Sequence, residues 1–304
     1  MSWVILAFIS AVMLGIYEVS KKMALRDNDV MKVLAISNAV SAFIFLPFVL
    51  NAVLGLSWFE GSIFQIELGS LREHLLVFVK AIIVLTSWIC GYNGLKRTPI
   101  SIYGPINSSR PVFVLLGAII IFGERLNWIQ WLGVGLSFFS LYMLGITSKK
   151  SDGIDFKHNK GIWFVAAGTL LGAVSALYDR FLMRQMSSVF VQSWFAFYNA
   201  ICMAVVLLVY LWVNKSPSKS SKLQFHWSWA IPAIAIFVSL ADFAYFYSLS
   251  DSQSMVSIVS MIRRGSVVIS FISASFIFHE KNLRTKALDL ILLFVAMILL
   301  FIGS

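Results

Sequence analysis

The sequence predicts an all-α integral membrane protein of ten transmembrane helices, arranged as two inverted repeats of five helices (5+5). Composition predicts the membrane class, because 59% of the 304 residues are hydrophobic, only 12% are charged, and the mean hydropathy is +0.85. A soluble domain carries about 25% charged residues, so half of the polar surface that water would require is missing. A repeated pattern of residues predicts the two halves.

Ten apolar segments reach the length of about 20 residues that a spanning helix needs. The predicted spans are residues 2–25, 31–54, 72–95, 98–122, 127–146, 161–185, 190–212, 228–249, 253–278 and 286–303. The first five form a predicted half of residues 1–146, and the last five form a second half of residues 161–304. Residues 147–160 are the linker loop, and the aromatic loop 55–71 is predicted to lie along the membrane interface.

Polar residues inside the apolar segments carry the repeat. Four matches recur after 161 or 154 positions: Tyr17 with Tyr178, Glu18 with Asp179, Asn38 with Asn199, and Arg110 with Arg264. Because each half holds an odd number of spans, the second half enters the membrane in the opposite orientation. Inverted repeats are typical of secondary transporters, whose substrate site lies between the repeats.

Other classes of protein find little support in the sequence. Cys90 and Cys202 fall inside predicted spans without CxxC spacing, and the four histidines are scattered, so neither a disulfide framework nor a metal site is predicted. No P-loop, HExxH or nucleophile elbow is present, so we expect neither an enzyme nor a cofactor. The net charge of +10 comes largely from short loops, which suits lipid headgroups and not nucleic acid.

The loop charges also predict an orientation. Sixteen Lys and Arg residues flank the spans on one side of the membrane and four flank them on the other. The positive-inside rule then places both termini outside.

The sequence Gly123-Glu124-Arg125-Leu126 follows the fourth segment, and His279-Glu280-Lys281 echoes it weakly after the ninth. With its five-helix halves, the chain resembles the drug/metabolite transporter superfamily and, within it, the EamA-like family. The resemblance implies a carrier with a central cavity that moves small metabolites without nucleotide hydrolysis. We expect a multi-pass protein of the plasma (inner) membrane. Many relatives keep both termini in the cytoplasm, so the orientation stays open.

Arg110 is the leading site candidate, because a charge inside a span is costly and marks functional positions. It lies about 12 residues into the fourth segment, or roughly 18 Å into a core of roughly 30 Å. Tyr103, Asn107 and Arg110 share one helical face, and three prolines interrupt the segment. The alternative is a structural arginine that a buried carboxylate or free carbonyl groups satisfy.

Arg263 and Arg264 are the next candidates. Adjacent helical positions diverge by about 100°, so both cannot point at one site. One of them is expected to contact the ligand while the other pairs with protein. The alternative is that the two arginines face a water-filled vestibule without touching substrate.

Three carboxylates also lie inside predicted spans. Glu18 and Asp179, with the neighbouring Tyr17 and Tyr178, are candidates for coupling or gating, although Glu18 with Lys22 could be a plain helix pair. Asp242 has no basic residue three or four positions away on its own helix. We interpret it as the structural partner of Arg110 or Arg264, with a protonation switch as the alternative.

Aromatic residues complete the predicted site. Trp88 and Tyr92 share a face of the third segment and are predicted to line it, with Tyr247 from the eighth segment. Most membrane Trp and Tyr residues serve packing or interface belts instead. Asn38 and Asn199 are predicted to form interhelical hydrogen bonds.

The leading functional hypothesis is a secondary transporter of a small charged or zwitterionic metabolite that works by alternating access. The arginines favour a carboxylate or phosphate, and the three carboxylates would suit the ammonium group of a zwitterion. The alternative is a translocase of a lipid or lipid-linked head group. The expected partners are a small-molecule substrate and membrane lipids, and the chain is expected to be a monomer or a dimer.

Overall fold

A computed structural model describes residues 2–122, 127–183, 185–213, 225–249, 259, 262–279 and 283–302. The protein is all-helical, with 83% helix, and the residues described contain no strand. The Gly123-Glu124-Arg125-Leu126 sequence and the Glu280-Lys281 pair lie outside these residues.

Eleven helices of nine or more residues lie within the described ranges. They are α1 (Ser2–Leu25), α2 (Val30–Val53), α3 (Leu71–Arg97), α4 (Ile100–Ser108), α5 (Arg110–Phe122), α6 (Trp128–Asp152), α7 (Lys160–Met183), α8 (Ser188–Val213), α9 (Ala230–Leu249), α10 (Ser266–Phe276) and α11 (Leu283–Ile302). Seven of them, α1 to α3 and α6 to α9, are long and apolar enough to cross a membrane. These seven helices confirm the prediction of a multi-pass membrane protein.

The predicted span 98–122 is interrupted, as its prolines indicated, and the chain breaks it into α4 and α5 at Ser109. Pro111 has no N–H to donate into the preceding turn. The Ser109 hydroxyl donates to the Ile106 carbonyl at 2.6 Å and satisfies one of the groups at this break. The ninth predicted span has a turn at Gly265, directly after Arg264. Both breaks therefore lie beside an arginine of the repeat.

Local capping explains where the helices around the site begin and end. The Asp29 side chain accepts a hydrogen bond from the Met31 N–H and caps α2. Ser70 and Glu73 form a capping box at the start of α3. These contacts fix where α2 and α3 begin.

The helices pack in pairs along their lengths. The most extensive pairings join α1 with α9, α3 with α7, α6 with α11, and α2 with α8. Asn199 donates to the Asn38 side-chain oxygen at 2.8 Å, which confirms the predicted interhelical role of both residues. Glycines bring α3 and α7 close, since a Cβ on Gly168 would lie 2.9 Å from the Gly91 backbone nitrogen.

The loop between α2 and α3 folds back onto the bundle. The ring of Phe64 lies 5.5 Å from the ring of Phe48 in α2 and 5.6 Å from the ring of Phe243 in α9. Ile66 is buried, whereas Trp58 is exposed. The loop thus covers one end of α2 and α9, and its position at a membrane interface stays a prediction.

Candidate functional site

A polar cavity lies in the middle of the helix bundle. It holds about 1130 Å³ of space free of protein atoms, including its opening. Its walls come from α1 to α5, α7 to α9 and the segment that carries Arg263 and Arg264. Measured as the space open to water-sized molecules, the cavity volume is about 140 Å³, which suits one small solute.

Charged side chains dominate the wall of this cavity. The described residues contribute five cationic side chains and three carboxylates to it: Lys21, Lys80, Arg110, Arg263, Arg264, Glu18, Asp179 and Asp242. So many charges inside helices of membrane length are expensive to bury, which makes this wall the candidate functional site.

The first ion pair joins neighbouring turns of α1. Lys21 Nζ lies 2.8 Å from a carboxylate oxygen of Glu18 and donates to the Tyr103 hydroxyl at 3.0 Å. The ammonium group also lies within about 5 Å of the ring centres of Tyr17, Tyr92 and Tyr103. Lys21 is only 2% exposed, so these groups take the place of water around its charge.

The alternative of a Glu18–Lys22 helix pair is wrong. Lys22 Nζ donates instead to the carbonyl oxygens of Leu95 and Thr98, at 2.9 and 2.6 Å. These carbonyls belong to the end of α3, where cations stabilise the helix dipole. Glu18 therefore pairs with Lys21, and both residues line the cavity.

The second ion pair joins two helices. Lys80 of α3 and Asp179 of α7 approach to 2.5 Å. The Lys80 ammonium lies about 5 Å from the ring centres of Phe195 and Phe246. Because Lys80 is 4% exposed, this pair is a nearly dry link between α3 and α7.

The third ion pair joins Asp242 of α9 with Arg263. The Arg263 guanidinium also lies 4.2 Å from the centre of the Tyr245 ring. Asp242 has a structural arginine partner, as predicted. The predicted identity of that partner, Arg110 or Arg264, is wrong, because it is Arg263. As predicted for the adjacent arginines, one of the two, Arg263, is held by protein.

Arg110 has a different environment. Its guanidinium donates to the Asn107 side-chain oxygen at 2.8 Å, and the Asn107 amide donates to Glu18 at 3.4 Å. The guanidinium occupies space over Gly172, where a Cβ would lie only 2.4 Å from Arg110 Cζ. The predicted grouping of Tyr103, Asn107 and Arg110 at one site is thus observed, despite the helix break between them.

The structure brings eleven of the thirteen predicted site residues to this cavity. These are Tyr17, Glu18, Trp88, Tyr92, Tyr103, Asn107, Arg110, Asp179, Asp242, Arg263 and Arg264. Tyr178 and Tyr247 are not brought there. The Tyr178 hydroxyl donates to the Leu76 carbonyl at 3.1 Å, and Tyr247 is 46% exposed and stacks on Phe243.

Sequence reasoning missed Lys21, Lys80 and Gln192. Lys80 lies inside the predicted span 72–95, so the criterion that selected Arg110 would have found it. Lys21 was counted among the loop charges because it lies near the end of the first predicted span. Gln192, which donates to the Ser239 carbonyl at 3.0 Å, carries no distinguishing pattern in the sequence.

Metal ligands do not gather in the part of the chain that the structure describes. No group of three or more His, Cys, Asp or Glu side chains there could hold a metal ion. Cys90 and Cys202 are free thiols.

The fold and the cavity define a class, a polytopic helical membrane protein with a charged internal site. Residues 1–146 match the family model described as the EamA-like transporter family. This match confirms the resemblance seen in the sequence and is consistent with the drug/metabolite transporter superfamily. The match indicates a membrane transporter.

A solved structure described as "Crystal structure of protein" has the same fold. It aligns with a TM-score of 0.63 over 99% of this chain and 97% of its own, at 14% sequence identity. At that identity the similarity concerns the fold alone. No curated protein matches the chain.

Proposed function

We propose that the protein is a secondary transporter that moves a small charged or zwitterionic metabolite by alternating access between two inverted five-helix halves. The observation that carries this proposal is the charged cavity, whose wall is shared by α1 to α5 and α7 to α9. Residues 1–146 and 161–304 would be the halves, and residues 147–160 would join them. Transporters with inverted repeats hold substrate at such an interface.

The packing of the helices supports a two-fold relation between the halves. The sequence repeat relates α1 to α7 and α3 to α9, so it exchanges the α1–α9 pair with the α7–α3 pair. Both pairs are among the most extensive in the bundle. Asn38 and Asn199, which the repeat relates, bond to each other, as residues beside a two-fold axis would. In this 5+5 arrangement α4 and α5 count as one interrupted span.

The interrupted helices suggest how the site works. Both breaks lie beside repeat-related arginines of the cavity, with α5 beginning at Arg110 and α10 beginning two residues after Arg264. Irregular backbone at membrane depth is tolerated where it lines a cavity. Rocking of one half against the other would open the site to each side of the membrane in turn.

A lipid or lipid-linked head-group translocase is the competing proposal. It needs a lateral opening for the lipid tail. A smaller cavity of about 70 Å³ next to Gly172 shares Arg110 and Arg264 with the central cavity, and this is the observation in its favour. Scrambling of a labelled lipid in vesicles, without uptake of any soluble solute, would favour this candidate.

Uptake into proteoliposomes tests the proposed function. Arg110→Ala and Arg264→Ala, made separately, should each abolish uptake while the purified proteins remain folded. Arg72→Ala is the matched control, because Arg72 is exposed at the start of α3. If both cavity variants fold and transport normally, the central-site hypothesis is wrong. Uptake that ignores an imposed pH gradient would argue against proton coupling.

The remaining expectations belong to the same proposal. The transporter would work in the plasma (inner) membrane on a soluble metabolite, with lipids as its other partner. It would act as a monomer or a dimer without nucleotide hydrolysis. Crosslinking in native membranes tests the oligomeric state.

A further inference from the structure

Each carboxylate that the described residues contribute to the cavity wall has a protein cation beside it. Glu18 pairs with Lys21, Asp179 with Lys80, and Asp242 with Arg263. The ammonium group of a zwitterion would need a carboxylate that is not neutralised. The described part of the wall therefore contains no carboxylate without a protein cation that could bind the ammonium group of a zwitterion.

Two cations are left after these pairs are formed. Arg110 bonds to the neutral Asn107 side chain, and neither Arg110 nor Arg264 has a carboxylate partner among the described residues. Among the described residues, the Nε atoms of both arginines are buried and have no hydrogen-bond partner. A guanidinium stays charged at neutral pH. Among the described residues of the wall, five cations against three carboxylates thus leave two positive charges uncompensated.

Uncompensated charge away from bulk water is costly, and a bound anion of equal and opposite charge removes that cost. Helix dipoles reinforce the attraction, because α5 begins at Arg110 and α10 begins just after Arg264. The N-terminal ends of helices favour negative charge. Charge balance in the cavity is therefore best met by a ligand with two negative charges.

The positions of the two arginines fit such a ligand. They are related by the sequence repeat, and both line the central cavity and the smaller cavity beside Gly172. The absence of a side chain at Gly172 leaves room for the Arg110 guanidinium, whose Nε is buried without a hydrogen-bond partner among the described residues. A guanidinium binds carboxylate or phosphate oxygens through paired hydrogen bonds.

We propose that the ligand of the central cavity is a small dianion, a dicarboxylate or a phosphate monoester, held between Arg110 and Arg264. Glu18, Asp179 and Asp242 stay with their own cations and do not contact the ligand directly. This proposal rests on the proposed function, because it assigns the substrate class of the same site.

Ligand-induced thermal stabilisation of the purified protein tests the charge of the ligand. Succinate and glycerol phosphate should raise the Tm in a concentration-dependent way, compared with acetate and glycine at equal ionic strength. Stabilisation by glycine or acetate equal to that by either dianion would overturn the proposal. So would the absence of any shift with both dianions.

Variants test which residues hold the dianion. Arg110→Gln and Arg264→Gln should each weaken dianion binding by about tenfold or more, since each removes a charged hydrogen-bond donor. Arg72→Gln should bind as the native protein does. If a glutamine variant fails to fold, Arg110→Lys and Arg264→Lys provide the test instead. Both lysine variants keep the positive charge, so they should retain the preference for dianions. Unchanged affinity in folded glutamine variants, or loss of the preference in lysine variants, would overturn the assignment.

Failure of this proposal can be separated from failure of the proposed function. Proteoliposome uptake of a zwitterion or a monoanion that depends on Arg110 would refute the dianion and leave the transporter standing. Tight binding of succinate or glycerol phosphate without uptake of either compound would support the dianion and count against transport.

Discussion

The cavity wall contains two acidic positions that the repeat relates, Glu18 and Asp179, and their surroundings differ. We call them the Glu18 end and the Asp179 end of the cavity. Glu18 and Asp179 are repeat equivalents, yet Glu18 pairs with Lys21 on its own helix and Asp179 pairs with Lys80 of a neighbouring helix. Neither lysine recurs, because the positions equivalent to Lys21 and Lys80 hold Leu182 and Ile234. The repeat has preserved the acid at each end, while the partner that neutralises it differs between the halves.

The surroundings of the two lysines differ in the same way. Lys21 lies among three tyrosines and bonds to the hydroxyl of Tyr103, whereas the aromatic rings beside Lys80 are those of Phe195 and Phe246. Polar neighbours give Glu18 other donors, including the Asn107 amide. The Glu18 end is therefore adaptable, because Glu18 has a polar neighbour besides Lys21, whereas the Asp179 end is a fixed link between α3 and α7.

The largest expected effect comes from removing the lysine at the fixed end. Lys80→Met should cost about 3–5 kcal/mol of stability, because it leaves Asp179 buried without a counter-charge. Thermal and denaturant unfolding in detergent measure the change. The double variant Lys80→Met with Asp179→Asn should recover most of the loss, since no buried charge then remains unpaired.

Lys21→Met is the matched variant at the other end of the cavity. It should cost clearly less stability than Lys80→Met, because tyrosine hydroxyls and Asn107 can still donate to Glu18. Equal losses in the two variants would contradict the distinction between an adaptable and a fixed end.

Two glycines of α7 are expected to have different roles, one in helix packing and the other in the anion site. Gly168→Ala should destabilise the protein by about 1–3 kcal/mol, because its Cβ would press on the α3 backbone. Gly172→Ala should leave stability nearly unchanged and weaken anion binding, because the atoms nearest its Cβ belong to the far end of the long Arg110 side chain. The repeat equivalents in α1 are Ala7 and Ala11, so the extra space belongs to the second half alone. Unchanged anion affinity in Gly172→Ala would break this assignment.

A smaller effect is expected from single hydroxyl groups. Tyr103→Phe and Tyr178→Phe each remove one hydrogen bond, worth about 0.5–1.5 kcal/mol. Only Tyr103 lines the cavity, so only Tyr103→Phe should also change ligand affinity, which titration calorimetry can measure. Equal effects of both variants on ligand binding would remove Tyr103 from the site.

The smallest effect is expected in the exposed loop that joins α6 and α7. Hydrogen bonds from the His158 ring and the Lys157 N–H lower the pKa of Asp155 to about 2. A lowered folded-state pKa stabilises the protein above the unfolded value of about 4, and this stabilisation is lost as the pH falls towards 2. Asp155→Asn should slightly flatten the dependence of Tm on pH in that window and leave transport unchanged. A transport defect would show that this loop takes part in the cycle.

Much of the fold was predictable, because long apolar segments specify spanning helices directly. The sequence also indicated Arg110 and the acidic residues, since charges stand out against an apolar background. The prediction from sequence failed where the rotation of a helix about its axis decides whether a side chain faces the cavity. Tyr178 and Tyr247 adjoin the lining residues Asp179 and Phe246, and a shift of one residue turns a side chain by about 100° away from the cavity.

The pairing of charges could not be predicted for a related reason. Asp242 was assigned to Arg110 or Arg264 and pairs with Arg263, because the relative rotation of two packed helices selects the partner. The position of the break at Ser109 was likewise hidden, although the nearby prolines indicated an interrupted helix.

The most direct test of the central claim is a structure of the protein with succinate or glycerol phosphate bound. We expect the two negative charges of the ligand to lie between Arg110 and Arg264, with the Lys80–Asp179 and Arg263–Asp242 pairs intact. A ligand bound outside the cavity, or one that contacts a carboxylate and leaves both arginines unpaired, would contradict the account.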